Sequence, residues 1–121
     1  MIKRMTLVLT AVLALALLVV GCGSTSQDIK GGATKMKVTL AEVKKAVEAG
    51  DQATAKAKAD ALEEDWGKFE DAVKAKDKAM YADIEDPLAV IGAGTKKAQM
   101  DQKAILDGIA KLDGLLDSLV K

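Results

Sequence analysis

Residues 51–73 read DQATAKAKADALEEDWGKFEDAV, and within them Ala55, Ala59, Leu62, Trp66, Phe69 and Val73 recur at alternating steps of four and three. At 3.6 residues per turn this spacing keeps six apolar side chains on one helix face, a seam that packs against partner helices. Working upstream, Ala49-Gly50 is a helix stop and Asp51 an N-cap, so Gly50-Asp51 reads as the turn of a helical hairpin. Its first arm starts at Ala33 and carries Met36, Leu40, Val43 and Val47 on one face. Downstream, Lys74–Lys78 is polar enough for a break with Asp77 as cap, after which Met80, Tyr81, Ile84, Leu88 and Ile91 continue a helical stripe. Pro87 lies inside this helix and predicts a kink. Gly92-Ala93-Gly94 predicts its end, and Thr95 caps a last helix with Ala98, Ile105, Ile109, Leu112, Leu116 and Leu119 on its inner face. Gly108 and Gly114 each cost that helix about 1 kcal/mol relative to alanine, which points to close approach of a neighbouring backbone. Four helices with short turns predict an all-α fold, an antiparallel four-helix up-down bundle over residues 33–121.

Composition agrees. The chain has no histidine, one proline and only Trp66, Phe69 and Tyr81 as aromatics, against abundant Ala, Lys, Asp and Leu, which favours helix over sheet.

The N-terminus has a different character. Lys3 and Arg4 form a basic n-region, and Met5–Val20 is uncharged and rich in Leu, Val and Ala. A spanning helix needs about 20 apolar residues, so this shorter run reads as the h-region of a signal peptide. It ends in Leu18-Val19-Val20-Gly21-Cys22, aliphatic residues followed by a small residue and the chain's single cysteine. That motif resembles the lipobox of bacterial lipoproteins. The resemblance implies that residues 1–21 are a signal peptide cleaved between Gly21 and Cys22, and that the Cys22 thiol carries diacylglycerol and further acyl chains such as palmitate. Several chains on one residue anchor a protein to membrane lipid durably without spanning it. It also implies an extracytoplasmic location, on the cell surface or periplasmic face. In a cell with two membranes the outer one is favoured, because Gly23 is not the aspartate associated with inner-membrane retention. Residues 23–32, GSTSQDIKGG, read as a polar tether, so the lipidated cysteine and tether occupy 22–32.

The whole chain has 18 basic and 18 acidic side chains, and loss of Lys3 and Arg4 with the signal leaves two more acids than bases, which excludes a nucleic-acid role. No catalytic residues are expected: without histidine the common general base is missing, and a Ser118–Lys121 dyad would sit on a fraying last turn. Gly92-Ala93-Gly94-Thr95-Lys96 follows a helix and lacks the glycine spacing of a phosphate loop. Carboxylates gather near the aromatics: Glu63, Glu64, Asp65, Glu70 and Asp71 in one helix, and Asp83, Glu85 and Asp86 after Tyr81. Such oxygens suit hard cations, although the same pattern also arises on a solvated helix face. A ferritin-type di-iron site is excluded, because it needs Glu-x-x-His pairs. Trp66, Phe69 and Tyr81 read either as a core cluster or as the lining of a groove between the second and third helices.

Three patterns, Ala46-Val47-Glu48-Ala49-Gly50-Asp51-x-x-x-Ala55, Trp66-x-x-Phe69-Glu70 and Tyr81-x-x-Ile84-Glu85-x-x-Leu88, resemble extracytoplasmic helical bundles of bacterial high-affinity iron uptake. Small secreted bundles with a Gly-Asp hairpin turn are similar too. The likeness spans roughly Val38 to Leu119. It lacks the Arg-Glu-Gly-Leu-Glu signature of the associated permeases, and no histidine stands where related iron-binding lipoproteins use one. It implies a non-catalytic accessory binding module in iron or other metal uptake, with Glu70 and Glu85 as the metal carboxylates and an envelope protein or transporter as partner. The alternative is a structural or protein-interaction envelope lipoprotein with no ligand site. A binding module should leave a carboxylate in a groove beside Trp66 or Tyr81, whereas a purely structural bundle closes with Ala and Leu throughout.

Overall fold

Gly50 has φ +71°, the left-handed conformation that glycine adopts without strain, and it ends the first helix as expected. Asp51 N–H donates to the Ala46 carbonyl (2.9 Å) and Gly50 N–H to that of Val47 (3.1 Å), the paired bonds of a Schellman motif. The chain reverses here, and Asp51 starts the next helix by accepting from the Thr54 amide (3.1 Å) and hydroxyl (2.7 Å). Those two donors hold its carboxyl below the ordinary 3.8.

The structure, a computed structural model, describes residues 25–121, with side chains from residue 29 onward. Residues 1–24, which include the expected signal peptide, Gly21 and Cys22, lie outside the described residues. Those described form five helices and no strand: α1 Thr25–Glu48, α2 Gln52–Gly67, α3 Glu70–Lys76, α4 Lys78–Lys96 and α5 Gln102–Val120. The fold is all-α. α1 packs on α2 and α5, α4 packs on the same two helices, and short α3 lies against α4 and α1. Each long helix turns its apolar stripe inward: Met36, Leu40, Val43 and Val47 from α1, Ala55, Ala59, Leu62 and Trp66 from α2, Ile84, Leu88 and Ile91 from α4, and Ile105, Ile109, Leu112 and Leu116 from α5 are all buried.

Several local expectations are corrected. The segment up to Gly32, read as a tether, is helical from Thr25, because Ile29 and Ala33 extend the α1 stripe into the core. A Cβ at Gly32 would stand 2.4 Å from the Phe69 ring, so the glycine is a packing surface for that ring. The seam of 55–73 does not run through one helix. α2 stops at Gly67, Phe69 N–H donates to the Trp66 carbonyl (3.1 Å), and Phe69 takes φ −135°, ψ 3°. That break turns the ring toward α1 and Trp66.

Gly92-Ala93-Gly94 does not end α4, which runs to Lys96. Thr95 is fully buried inside the helix and donates to the Ile91 (3.1 Å) and Gly92 (3.0 Å) carbonyls, so it caps nothing downstream. Gly94 is where α5 comes close: a Cβ there would meet Ile105 Cγ1 at 2.5 Å. Gly114 has no neighbour within 4 Å, and a Cβ at Gly108 would make ordinary contacts with Ile91 and the Pro87 carbonyl. The N-cap of α5 is Asp101, which accepts from Ala104 N–H (3.2 Å), and Ala98 is an exposed loop residue.

Two glutamines tie the hairpins together at this end. Gln52 Nε2 donates to the Thr95 (3.2 Å) and Lys97 (2.5 Å) carbonyls at the close of α4, and Gln102 Nε2 donates to Val47 (2.9 Å) at the close of α1. Each follows an aspartate cap and satisfies carbonyls that a helix end leaves without intrahelical donors. Along the bundle, Lys37 of α1 pairs with Asp117 and Asp113 of α5. The hydrogen bond that the Lys37 ammonium donates to the Asp117 carboxylate is the main reason the lysine pKa is raised.

Candidate functional site

The aromatic residues meet where α2, α3 and α4 join. Asp77 ends α3 and caps α4 by accepting from Met80 N–H (3.0 Å), which sets Tyr81 and, one turn later, Glu85 on the face toward α2. Trp66 stacks on Tyr81 (centroids 5.8 Å, planes at 27°) and meets Phe69 edge to face (5.1 Å, 87°). Its indole N–H donates to Glu85 Oε1 at 2.8 Å. Lys74 of α3 lies 5.1 Å from the Tyr81 ring centroid, within cation–π range. Trp66 and Phe69, at 2% and 3% exposure, belong to the core, and Tyr81 packs against it partly buried.

The Tyr81 phenol is raised above its ordinary 10.0, first by burial, then by the charges of Glu85, Glu70 and Asp71 and by hydrogen bonding to Glu85. Glu70 and Glu85 therefore act on the same phenol. Glu63, Glu64, Asp83 and Asp86 are exposed. Among the described residues no group of three or more His, Cys, Asp or Glu is arranged to hold a metal ion.

Because Tyr81 is the chain's one tyrosine, ultraviolet titration of tyrosinate reads this site alone. Glu85→Gln should bring the ionisation part of the way back toward 10.0, and burial should keep it from returning fully. The linkage sign follows. A raised folded pKa means that the phenol's contribution to stability is complete below pH 10 and is lost as pH rises through the folded value.

Sequence reasoning grouped Asp65 with the carboxylates around Trp66, but it is buried at 6% exposure. It accepts from the Thr39 hydroxyl of α1 (2.7 Å) and pairs with Lys35 (3.4 Å). Its place three residues after Leu62 and four before Phe69, on the inward arc, was the available signal. Two concave surfaces were also not anticipated. A groove of about 560 Å³ between α1 and α5 has Leu40, Leu106 and Ile109 beneath a rim of Lys37, Lys44, Glu48 and Asp113. A smaller hollow of about 220 Å³, at the end where α1 starts, brings Ile29, Val73, Met80 and Leu119 beside Lys76 and Lys121. Neither is lined by Trp66, Phe69 or Tyr81. Ser118 and Lys121 share the smaller hollow.

No helix among the described residues is long and apolar enough to cross a membrane. The chain matches no protein-family model, no curated protein and no solved structure.

Proposed function

We propose that this is a bacterial lipoprotein held to membrane lipid through Cys22, outside the cytoplasm, and that its helical domain is a non-catalytic accessory module for an envelope partner such as a transporter. In this reading the domain is an antiparallel four-helix up-down bundle in which α2 and α3 together fill one position. The carrying observation is Leu18-Val19-Val20-Gly21-Cys22, a lipobox at the end of an apolar run and immediately ahead of the helical domain. The apolar floor and mixed-charge rim of the α1–α5 groove suit a protein partner, since anchors of that kind bury apolar side chains inside a polar margin. Cells grown with an alkyne analogue of palmitate should label the wild-type chain and not Cys22→Ser. An unlabelled wild type, or label retained by Cys22→Ser, overturns the anchor.

The metal-uptake form of this role rests on Glu70 and Glu85, favoured by their shared action on Tyr81. Ferric citrate should then produce a saturable change in Trp66 fluorescence that Glu70→Ala abolishes. No change with ferric, manganese or calcium ions leaves the module as a protein-interaction lipoprotein without a ligand site.

A further inference from the structure

The helical start of α1 carries an inference about orientation. Only Gly23 and Ser24 separate Cys22 from Thr25, the first residue of α1. Three Cα steps reach at most about 11 Å, so a lipid on Cys22 holds Thr25, where α1 starts, within that distance of the membrane surface. The adjoining end of the domain contains the start of α1, α3, the start of α4 and the last turn of α5, which converge on the hollow lined by Ile29, Val73, Met80 and Leu119. Its cations are exposed: Lys76 and Lys121 line the hollow, Lys30 follows Ile29, and Lys78 opens α4. Asp77 is in the same hollow, but its carboxylate accepts the Met80 amide as the α4 cap. Glu70 stands beside Tyr81, Asp71 is the exposed acid of α3, and Asp117 in the last turn of α5 is paired with Lys37. The opposite end also has exposed lysines, Lys45, Lys96 and Lys97, but it lies the length of the bundle away from the start of α1, so the attachment point and not charge alone selects the end that meets the membrane.

We propose that this end, the one next to Cys22, is a membrane-docking surface: the lipidated protein stands on the bilayer with the exposed Lys30, Lys76, Lys78 and Lys121 against the phosphates of anionic phospholipids. The inference rests on lipidation of Cys22 and adds a fixed pose to it. Clustered lysines next to an anionic leaflet are each attracted to it within a Debye length. The hollow lies a further turn along α1, so the covalent lipid keeps these lysines within about 19 Å of the surface, close enough for the domain to settle onto it without first having to find the membrane.

The test uses the mature lipidated chain in phosphatidylcholine vesicles with and without phosphatidylglycerol. Acylation blocks the only native thiol, so a fluorophore can be placed singly at Ala79→Cys, beside the lysines, or at Gln99→Cys, at the far end. Quenching by a spin label on the lipid headgroup should be strong at position 79 and weak at position 99. The difference should grow with phosphatidylglycerol, and each of Lys76→Gln and Lys78→Gln should weaken contact roughly fivefold at low salt. Equal quenching at both positions, or quenching indifferent to phosphatidylglycerol and to the lysine substitutions, overturns the docking surface. The mass of the same samples separates the two readings: acylated Cys22 with equal quenching removes only the pose, whereas an unacylated chain removes the anchor and the pose together.

Discussion

Trp66→Ala should lower the unfolding free energy by about 3–5 kcal/mol, the usual cost of deleting a large buried aromatic side chain. The indole is 2% exposed, stacks on Tyr81, meets Phe69 edge on and donates to Glu85, so its loss opens a cavity where three helices join. It also removes the indole N–H that donates to the Glu85 carboxylate. A domain of this size has a total stability of about 5–15 kcal/mol, so the variant should sit near the edge of folding. Urea unfolding followed by far-ultraviolet circular dichroism checks this, since the fluorescent reporter is the residue removed. Trp66→Phe separates the contributions: it keeps most of the ring packing and loses the hydrogen bond, for a cost of about 1.5–3 kcal/mol. A Trp66→Ala loss below about 1 kcal/mol would mean that the aromatic cluster is peripheral to the fold.

The second large effect is a contrast between neighbours. Gly31→Ala should stabilise the domain by about 0.5–1 kcal/mol, because the position is inside α1, nothing lies within 4 Å of the added methyl, and alanine is the better helix former. Gly32→Ala should destabilise it by about 1–3 kcal/mol, because its methyl would stand 2.4 Å from the Phe69 Cδ1 and 2.7 Å from Cγ. A rigid ring held at the α2–α3 break, itself 3% exposed, has little room to move aside. Matched thermal unfolding of the two variants decides it. If both stabilise, residues 31 and 32 are not packed beneath α3. If neither changes anything, the segment is the solvated tether that its composition suggests.

That contrast also explains what could be read in advance. The inward stripes of α1, α2, α4 and α5 were legible because each is written in the 3.6-residue period, and the Gly50-Asp51 turn and Asp77 cap were legible because their chemistry is local. The first turns of α1 were not legible. GSTSQDIKGG carries Ile29 as its single large apolar residue, and its two adjacent glycines disfavour an isolated helix. What overrides propensity is a contact with Phe69, 37 positions away in sequence from Gly32. The glycines of α4 misled for the same reason: Gly94 reads as a stop, but it faces Ile105 of a helix that local sequence cannot place. Of the candidate site, the i,i+4 placement of Tyr81 and Glu85 on one face was readable, whereas the indole hydrogen bond to Glu85 depends on how α2 and α4 pack. Asp65 lay on a readable arc but was grouped by charge.

The intact mass and N-terminal sequence of the chain purified from a lipoprotein-processing bacterium test the anchor most directly. The expected species lacks residues 1–21, begins at Cys22 and carries the added mass of thioether-linked diacylglycerol. A chain that retains residues 1–21, begins at another residue or bears a free Cys22 thiol contradicts the lipoprotein reading.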